Sequence, residues 1–263
     1  QVADRFTVLR DGRTVGTYGV RDKGIDSNRI TELMLGEKLN QVFPGRGGKP
    51  GEEVLRVDGL TLAGKFNDVS IHARKGEIVG IFGLVGSGFD ELCKAMFGVL
   101  RPDSGSIRLQ GTLIQPRTPE EAVNLGIFLI PGDRRTEGQI SEESIAFNTT
   151  LANLDKIAGI LGLIRPIQEK RDTRSIVDTL KIKTTGTGQK VALLSGGNQQ
   201  KVVIGKGLYT DSQVYLFEEP TVGVDVGAKS GIYHLIRDLA QDHAVIVASS
   251  DCEEIFGLCD RAL

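Results

Sequence analysis

The sequence lacks the features that would place it in a membrane, secreted or nucleic-acid-binding class. It contains no apolar run of about 18 to 20 residues, the length that a helix needs to cross a bilayer. Lysine and arginine number 32 against 34 aspartate and glutamate residues, so no strongly charged face is indicated. The first 22 residues mix both charges, unlike a secretory signal. We therefore expect neither a membrane span nor a nucleic-acid partner.

Cysteine is scarce as well. The chain has 3 cysteines, Cys93, Cys252 and Cys259, an odd number without the spacing of a metal site. This predicts reduced cysteines in a cytosolic protein rather than a disulfide framework. Glycine, in contrast, is abundant at 34 of 263 residues, which favours an α/β protein with many tight turns. A chain of this length can form one large domain or two small ones.

The first 36 residues are predicted to form a β-hairpin followed by a helix. Strand-like runs at residues 6–10 and 13–18 flank Asp11-Gly12, a strong hairpin-turn signal. Ser27 is expected to cap a short helix over residues 30–35, closed by Gly36.

A segment rich in proline and glycine, residues 40–52, separates this hairpin from the rest of the chain. We therefore predict three parts: residues 1–36, a linker over 37–53, and a large domain over 54–263.

In the large domain, strand-like runs alternate with helices, which predicts a parallel sheet flanked by helices. Strands are expected at residues 54–57, 69–73, 78–82, 106–109, 127–130, 214–217 and 244–248. Helices are expected after the capping box Thr118–Glu121, over about 227–241, and after Ser250 to near Cys259, with Glu253 completing a capping box. Between the strands, residues 133–190 read as a mostly helical insert, with apolar residues at helical spacing over 151–164 and 167–180.

A glycine-rich turn follows the strand at 78–82. Residues 83–90 read GLVGSGFD, and the phosphate-loop pattern is G-x-x-x-x-G-K-[ST]. Gly83, Gly86, Ser87 and Gly88 retain the scaffold whose backbone N–H groups can cradle an anion. Phe89, however, stands where a lysine would reach the phosphates, and Asp90 where a hydroxyl would meet Mg²⁺. We expect weak nucleotide binding here and still weaker hydrolysis, with a loop kept for its shape as the alternative.

A second glycine-containing motif begins a helix. Residues 194–201 read LSGGNQQK, so a hydroxyl, free backbone N–H groups and a helix dipole meet at Ser195, Gly196 and Gly197. An ordinary helix cap would explain Ser-Gly-Gly alone. It explains less well the eight residues together with the strand 214–217, which ends in Glu218-Glu219.

This pairing resembles the signature motif and Walker B strand of ABC-type ATPases. Residues 54–263 as a whole resemble an ABC nucleotide-binding domain, a P-loop NTPase-like α/β fold with a β subdomain and a helical insert. The motifs are most similar to the second ATPase half of tandem monosaccharide importers of the ribose/galactose/xylose type. They are the lysine-free GLVGSG, PGDRR at 131–135, LSGGNQQK, GVDVGAK at 223–229 and SSD at 249–251.

The resemblance implies ATP and Mg²⁺ as cofactors and assigns roles to individual residues. In this family two ATPase units share two nucleotide sites, each built from the phosphate loop of one unit and the signature motif of the other. Residues at one site would be Gly83, Gly86, Ser87, Gly88, Phe89 and Asp90, with Glu218 and Asp90 near Mg²⁺ and Glu219 polarising the attacking water. Residues completing the partner's site would be Ser195, Gly196, Gly197, Gln199 and Asp225.

The resemblance also implies what is missing. The loop that bears a glutamine in this family has Gly132 or Asp133 there, and Ser250 stands at the switch histidine. Gly132, Asp133 and Arg134 would lie near a membrane permease.

The expected partners are the first ATPase half of the same polypeptide, permease subunits and, indirectly, a periplasmic or extracellular sugar-binding protein, at the cytoplasmic face of the membrane. A short echo, VADRF at 2–6 and LCDRA at 258–262, suggests that the chain starts in the tail of one unit and stops before the tail of the next. Hairpin 6–18 is then expected to fill the vacant edge of the core sheet, within one chain or in a strand-swapped dimer.

Two other classes remain open. One is a soluble ABC ATPase in DNA repair or translation, which would usually carry an intact phosphate loop. The other is a nucleotide-free regulatory module that merely inherited the fold, an interpretation favoured by Phe89 and Asp90.

Overall fold

The computed structural model describes residues 3–10, 12–20, 22, 24–36, 43–47, 49–159 and 161–263. Some predictions lie outside these described residues, namely those for Val2 of the echo, Asp11 of the hairpin turn, and positions 37–42 and 48 of the linker.

The first unit is a hairpin and a helix, as predicted. Strands β1 (Arg5–Arg10) and β2 (Arg13–Gly19) pair antiparallel, and helix α1 spans Ser27–Leu35. Gly36 closes α1 in the left-handed conformation, but the expected cap was wrong by one residue. Asp26, not Ser27, is the N-cap, because its carboxylate accepts a hydrogen bond of 2.7 Å from the Arg29 N–H.

The hairpin does not join the core sheet of its own chain. Within the described residues, β1 and β2 form a separate two-stranded sheet, so that part of the prediction was wrong. The edge beside β5 (Ile78–Phe82) is instead occupied by β11 (Arg261–Ala262), which pairs with it in parallel.

The β subdomain is an antiparallel sheet in the order β4-β3-β6-β7. Its strands are β3 (Glu53–Leu62), β4 (Phe66–Arg74), β6 (Ser104–Leu109) and β7 (Thr112–Ile114).

The core is a parallel sheet in the order β11-β5-β10-β9-β8, as the alternation of strands and helices predicted. The remaining strands are β8 (Ile127–Ile130), β9 (Val214–Glu218) and β10 (Ala244–Ser249). Helices outside the insert are α2 (Phe89–Met96), α3 (Pro119–Leu125), α6 (Gly196–Tyr209), α7 (Val226–Ala240) and α8 (Cys252–Leu258).

Both faces of this sheet are buried, which explains the continuous apolar runs of its strands. Side chains alternate across a strand. Val214 and Leu216 of β9 therefore join the core that includes α2 and α3, whereas Tyr215 and Phe217 join the core that includes α6 and α7. Because parallel strands point in the same direction, the loops after β5, β8, β9 and β10 meet at the carboxyl ends of the strands.

The helical insert was predicted only in part. Helix α5 (Pro166–Thr179) lies where expected, and α4 (Ile145–Thr150) precedes it. The expected helix over 151–164 is wrong: a 3₁₀ turn covers Leu151–Lys156, and Ala158 then bridges to Ile164. Gly162 makes the return with φ of 72°, which no α-helix contains.

Two smaller predictions concern α8 and the cysteines. Asp251, not Ser250, caps α8, accepting from the N–H groups of Glu253 and Glu254, so the Ser250 capping box was wrong. All three cysteines are free, as predicted.

Candidate phosphate-binding site

The loop between β5 and α2 has the backbone of an anion cradle. Gly88 precedes the helix with φ of 98°, and a Cβ there would lie 2.4 Å from the carbonyl oxygen of Lys65. Only glycine fits this position without moving the backbone. The helix start after Gly88 leaves N–H groups of its first turn directed out of the helix.

The two residues that depart from the phosphate-loop pattern differ in their environment. Phe89 is only 4 % exposed and belongs to the apolar core under the loop, so this position presents no cationic side chain to a phosphate. Asp90 lines a cavity of about 700 Å³ at the carboxyl ends of the core strands. Its Oδ1 is buried and has no hydrogen-bond partner among the described residues.

Glu218, the last residue of β9, faces the same cavity. The residue is 4 % exposed, and its Oε2 is buried without a hydrogen-bond partner in the described part of the chain. Burial raises the pKa of the Glu218 carboxyl to about 7; the Lys94 ammonium opposes this shift and the charge of Asp90 adds to it. Burial also raises the pKa of Asp90.

Lys94 and Glu137 complete the charged wall of the cavity. Their Nζ and Oε1 atoms lie 3.0 Å apart. The pair also borders a neighbouring groove of about 780 Å³, lined by apolar side chains of α3, β8 and the 151–155 turn. Lys94 was not among the predicted site residues, although it follows Asp90 by four residues and therefore shares its helix face.

Glu219 follows in a strained backbone conformation, with φ of 43°. Its carboxylate accepts hydrogen bonds from the Ser250 N–H (2.8 Å) and the Ser249 hydroxyl (3.3 Å). Non-glycine residues in this region cluster at functional sites. Glu219 is thus tied to the loop after β10, where the sequence placed Ser250 at the switch position.

Gly132 and Asp133, which follow β8, also reach the cavity. Gly132 packs against the Walker B segment, because a Cβ there would lie 3.2 Å from the Glu219 Cβ. Asp133 begins a single π-helical turn over Arg134–Gly138 and accepts from the Arg135 and Thr136 N–H groups.

The signature segment lies elsewhere. Ser195 is the N-cap of α6. Its hydroxyl accepts a hydrogen bond of 2.8 Å from the side-chain amide of Asn198. Gly197 allows close packing on α7, since a Cβ would lie 2.5 Å from the Ala228 Cβ. Gln199 is buried and donates to the carbonyls of Val191 and Leu194. None of residues 194–201 lines the phosphate cavity among the described residues.

Asp225 has a structural task as the N-cap of α7, accepting 3.0 Å from the Ala228 N–H. It is also absent from the described lining of the cavity. Of the predicted site residues, the structure thus brings together Phe89, Asp90, Glu218 and Glu219, and leaves the signature residues and Asp225 apart from them.

Two features are absent from the part of the chain that the structure describes. In the described ranges, no cluster of three or more His, Cys, Asp or Glu side chains is arranged to bind a metal ion. Nor does any helix in the described ranges have the length and apolarity to cross a bilayer.

The fold and the loops at the sheet edge define the class of the protein. Residues 66–222 match the ABC transporter family, so the chain belongs to that family. The solved ADP conformation of MJ1267, an ATP-binding cassette of an ABC transporter, has the same fold: the TM-score is 0.66 at 21 % identity, over 80 % of this chain and 86 % of that one.

The curated relatives are more specific. The chain is 43 % identical to ribose import ATP-binding protein RbsA 3 of Rhizobium meliloti (strain 1021), over 100 % of this chain and 52 % of the relative. It is 39 % identical to galactose/methyl galactoside import ATP-binding protein MglA of Salmonella typhimurium (strain LT2), again over 100 % of this chain and 52 % of the relative. The chain therefore spans about half the length of these relatives.

Proposed function

We propose that this chain is part of the ATP-binding, energy-coupling component of an ABC importer for monosaccharides. The family match and the names of its relatives, which import ribose or galactose, support this. Residues 54–263 are the second ATPase domain, and residues 1–36 are the end of a preceding one. The first half of the same polypeptide, permease subunits and an external sugar-binding protein are its partners, at the cytoplasmic face of the membrane.

The two nucleotide sites of such an assembly are unequal. The observation that carries this is the contrast between Phe89, buried in the core at the lysine position, and the complete LSGGNQQK segment at 194–201. Ser195, Gly196 and Gly197 act on a nucleotide held by the partner's phosphate loop, while Gln199 and Asp225 support the backbone around this helix start. The cavity at Gly83–Asp90 binds nucleotide weakly.

The residues in the cavity fit a divalent cation. Asp90 Oδ1 and Glu218 Oε2 are buried carboxylate oxygens without hydrogen-bond partners among the described residues, and carboxylates are the ligands that Mg²⁺ prefers. When bound with ATP, Mg²⁺ would neutralise phosphate charge. Glu219 is positioned to orient water, because Ser249 and Ser250 hold its carboxylate at the cavity.

The alternative of a nucleotide-free module rests on Phe89 and Asp90 alone, and the alternative of a soluble ATPase on no observation of this chain. The alternatives differ in one measurement. ATP hydrolysis by the full-length polypeptide that contains this chain should fall about 100-fold in Ser195→Arg, which blocks the signature helix start, because misplaced groups at a reaction centre cost this much. Glu219→Gln, at the weak site, should reduce it less than threefold, on the order of 0.6 kcal/mol.

Equal losses in both variants would contradict the asymmetric assignment, and no loss in Ser195→Arg would exclude the signature role. Titration of the 263-residue chain with ATP and Mg²⁺ is the second test. Tight binding, with a Kd below about 1 μM, would contradict a weak phosphate loop.

A further inference from the structure

Arg134 is a buried cation without an acidic partner. The residue is 7 % exposed, and it forms no ion pair within the described residues. Its guanidinium instead donates to backbone carbonyls, from Nη1 to Val222 O and from Nη2 to Gly223 O, each at 2.8 Å. Burial lowers its pKa, and the neighbouring Arg135 adds to this. A charge kept inside at this cost needs a reason in the surrounding geometry.

The surrounding geometry joins three segments. Arg134 belongs to the π-helical turn after β8, while Val222 and Gly223 belong to the loop between β9 and α7. The third segment is the start of α6: Nε of Arg134 lies 3.5 Å from Gln199 Oε1. A Cβ on Gly196 would lie 3.0 Å from Nη2 of Arg134 and 2.9 Å from Gly223 O. The guanidinium therefore fills the space between the signature helix and the Gly223 loop.

Gln199 extends the same connection to the segment before the helix. Its side-chain amide donates to Val191 O (3.3 Å) and Leu194 O (3.1 Å), the backbone that leads into Ser195. A single π-helical turn, such as the one that carries Arg134, is often found at functional sites. Here the turn directs the Arg134 side chain toward both the start of α6 and the Gly223 loop.

We infer that Arg134 is the positioning residue of the signature segment, holding the start of α6 in register with the Gly223 loop. This rests on the proposed function for the catalytic consequence, but not for the structural connection itself. The planar guanidinium has two parallel donors for two successive carbonyls, whereas a lysine ammonium is a point donor. Arg134 was expected near the membrane permease; the observed contacts give it a second, internal task.

The test uses the full-length polypeptide that contains this chain, with Arg134→Gln, Arg134→Lys and the matched control Arg117→Gln. Arg117 is exposed and does not line the phosphate cavity, so its variant removes the same charge outside the connection. Hydrogen exchange is followed at two protected amides: Gln199 N–H, bonded to Ser195 O, and Val224 N–H, bonded to Thr221 O. ATP hydrolysis is measured on the same samples.

Arg134→Gln should speed exchange about tenfold at both amides, since local opening no longer breaks the guanidinium bonds. It should lower kcat about tenfold while KM for ATP changes less than about twofold, because misplaced groups at a reaction centre affect mainly kcat. Arg134→Lys should recover part of both effects, and Arg117→Gln should match the wild type.

Faster exchange at only one of the two amides, or a rise in KM with unchanged kcat, would overturn the inference. If Arg134→Gln does not fold, Arg134→Lys decides by the same criteria. A hydrolysis rate that is insensitive to Ser195→Arg would refute the proposed function, but the exchange data would still decide whether Arg134 connects the two segments.

Discussion

Asp90 and Glu218 face one cavity, each with one buried carboxylate oxygen, and the charge of Asp90 contributes to the raised pKa of Glu218. Asp90 comes from the start of α2 and Glu218 from the end of β9, so only the folded sheet edge brings them together. Their relationship gives two predictions, one for each residue.

Asp90→Asn should strengthen the binding of metal-free ATP at the phosphate loop. Without a bridging Mg²⁺, a carboxylate beside the phosphates repels them, and removing one such charge in a partly solvated site is worth roughly tenfold in Kd, about 1.4 kcal/mol. The variant should also lower the pKa of Glu218, which stays above its ordinary value because burial is the larger cause. Calorimetric titration with ATP in the presence of a chelator that removes Mg²⁺ measures the affinity, with Glu91→Gln as the charge-matched control outside the cavity. Equal affinities in all three proteins would show that Asp90 does not repel nucleotide.

Glu218 should make stability depend on pH above its ordinary pKa of 4.5. Below that value both the folded and unfolded states keep the proton. Between 4.5 and about 7 only the folded state keeps it, so the free energy of unfolding falls as pH rises and then levels off. Glu218→Gln should lack this decrease, which urea unfolding at a series of pH values would detect. Parallel curves for the variant and the wild type would contradict the raised pKa.

Asp260 should contribute strongly to the free energy of unfolding, although its side chain is partly exposed. Its carboxylate accepts two hydrogen bonds of 2.8 Å, one from the Arg237 guanidinium and one from the Ile78 N–H. Arg237 is only 8 % exposed. Asp260→Ala would leave this arginine buried without its acidic partner, at a cost of about 3 kcal/mol or more in the free energy of unfolding. Asp58→Ala, at an exposed pair with Arg56, should cost less than about 0.5 kcal/mol. Similar losses in the two variants would refute a special role for Asp260.

Asp251 should stabilise α8 where Ser250 does not. Loss of an N-cap side chain typically costs about 1 kcal/mol, so Asp251→Ala should lower the free energy of unfolding by this amount. Ser250→Ala keeps the backbone N–H that binds Glu219 and should change stability by less than about 0.5 kcal/mol. Chemical denaturation of both variants measures the two free energies of unfolding. A larger loss of stability in Ser250→Ala than in Asp251→Ala would support the predicted Ser250 capping box instead.

The sequence was most informative where the residues of a single segment indicate its secondary structure. The apolar runs at 78–82, 127–130, 214–217 and 244–248 are the parallel strands, because burial on both faces demands continuous apolar residues. It was less informative where neighbouring residues compete. Ser27 and Ser250 each have an aspartate beside them that accepts the cap bonds instead.

Helical spacing also failed over 151–164, where Gly162 allows a tight return that periodicity does not register. The predicted domain assignment, site roles and partners remain predictions.

By itself, the sequence determined the family and the order of its motifs, since glycine loops and carboxylates after strands depend on local residue types and spacing. The tertiary structure decided which of these residues meet. Phe89 entered the core, Asp90 and Glu218 came to share a cavity, and Arg134 joined the signature helix to the Gly223 loop. The physical reason is that such contacts link residues up to 128 positions apart (Asp90 to Glu218), and only the packing of the sheet and its helices sets those distances.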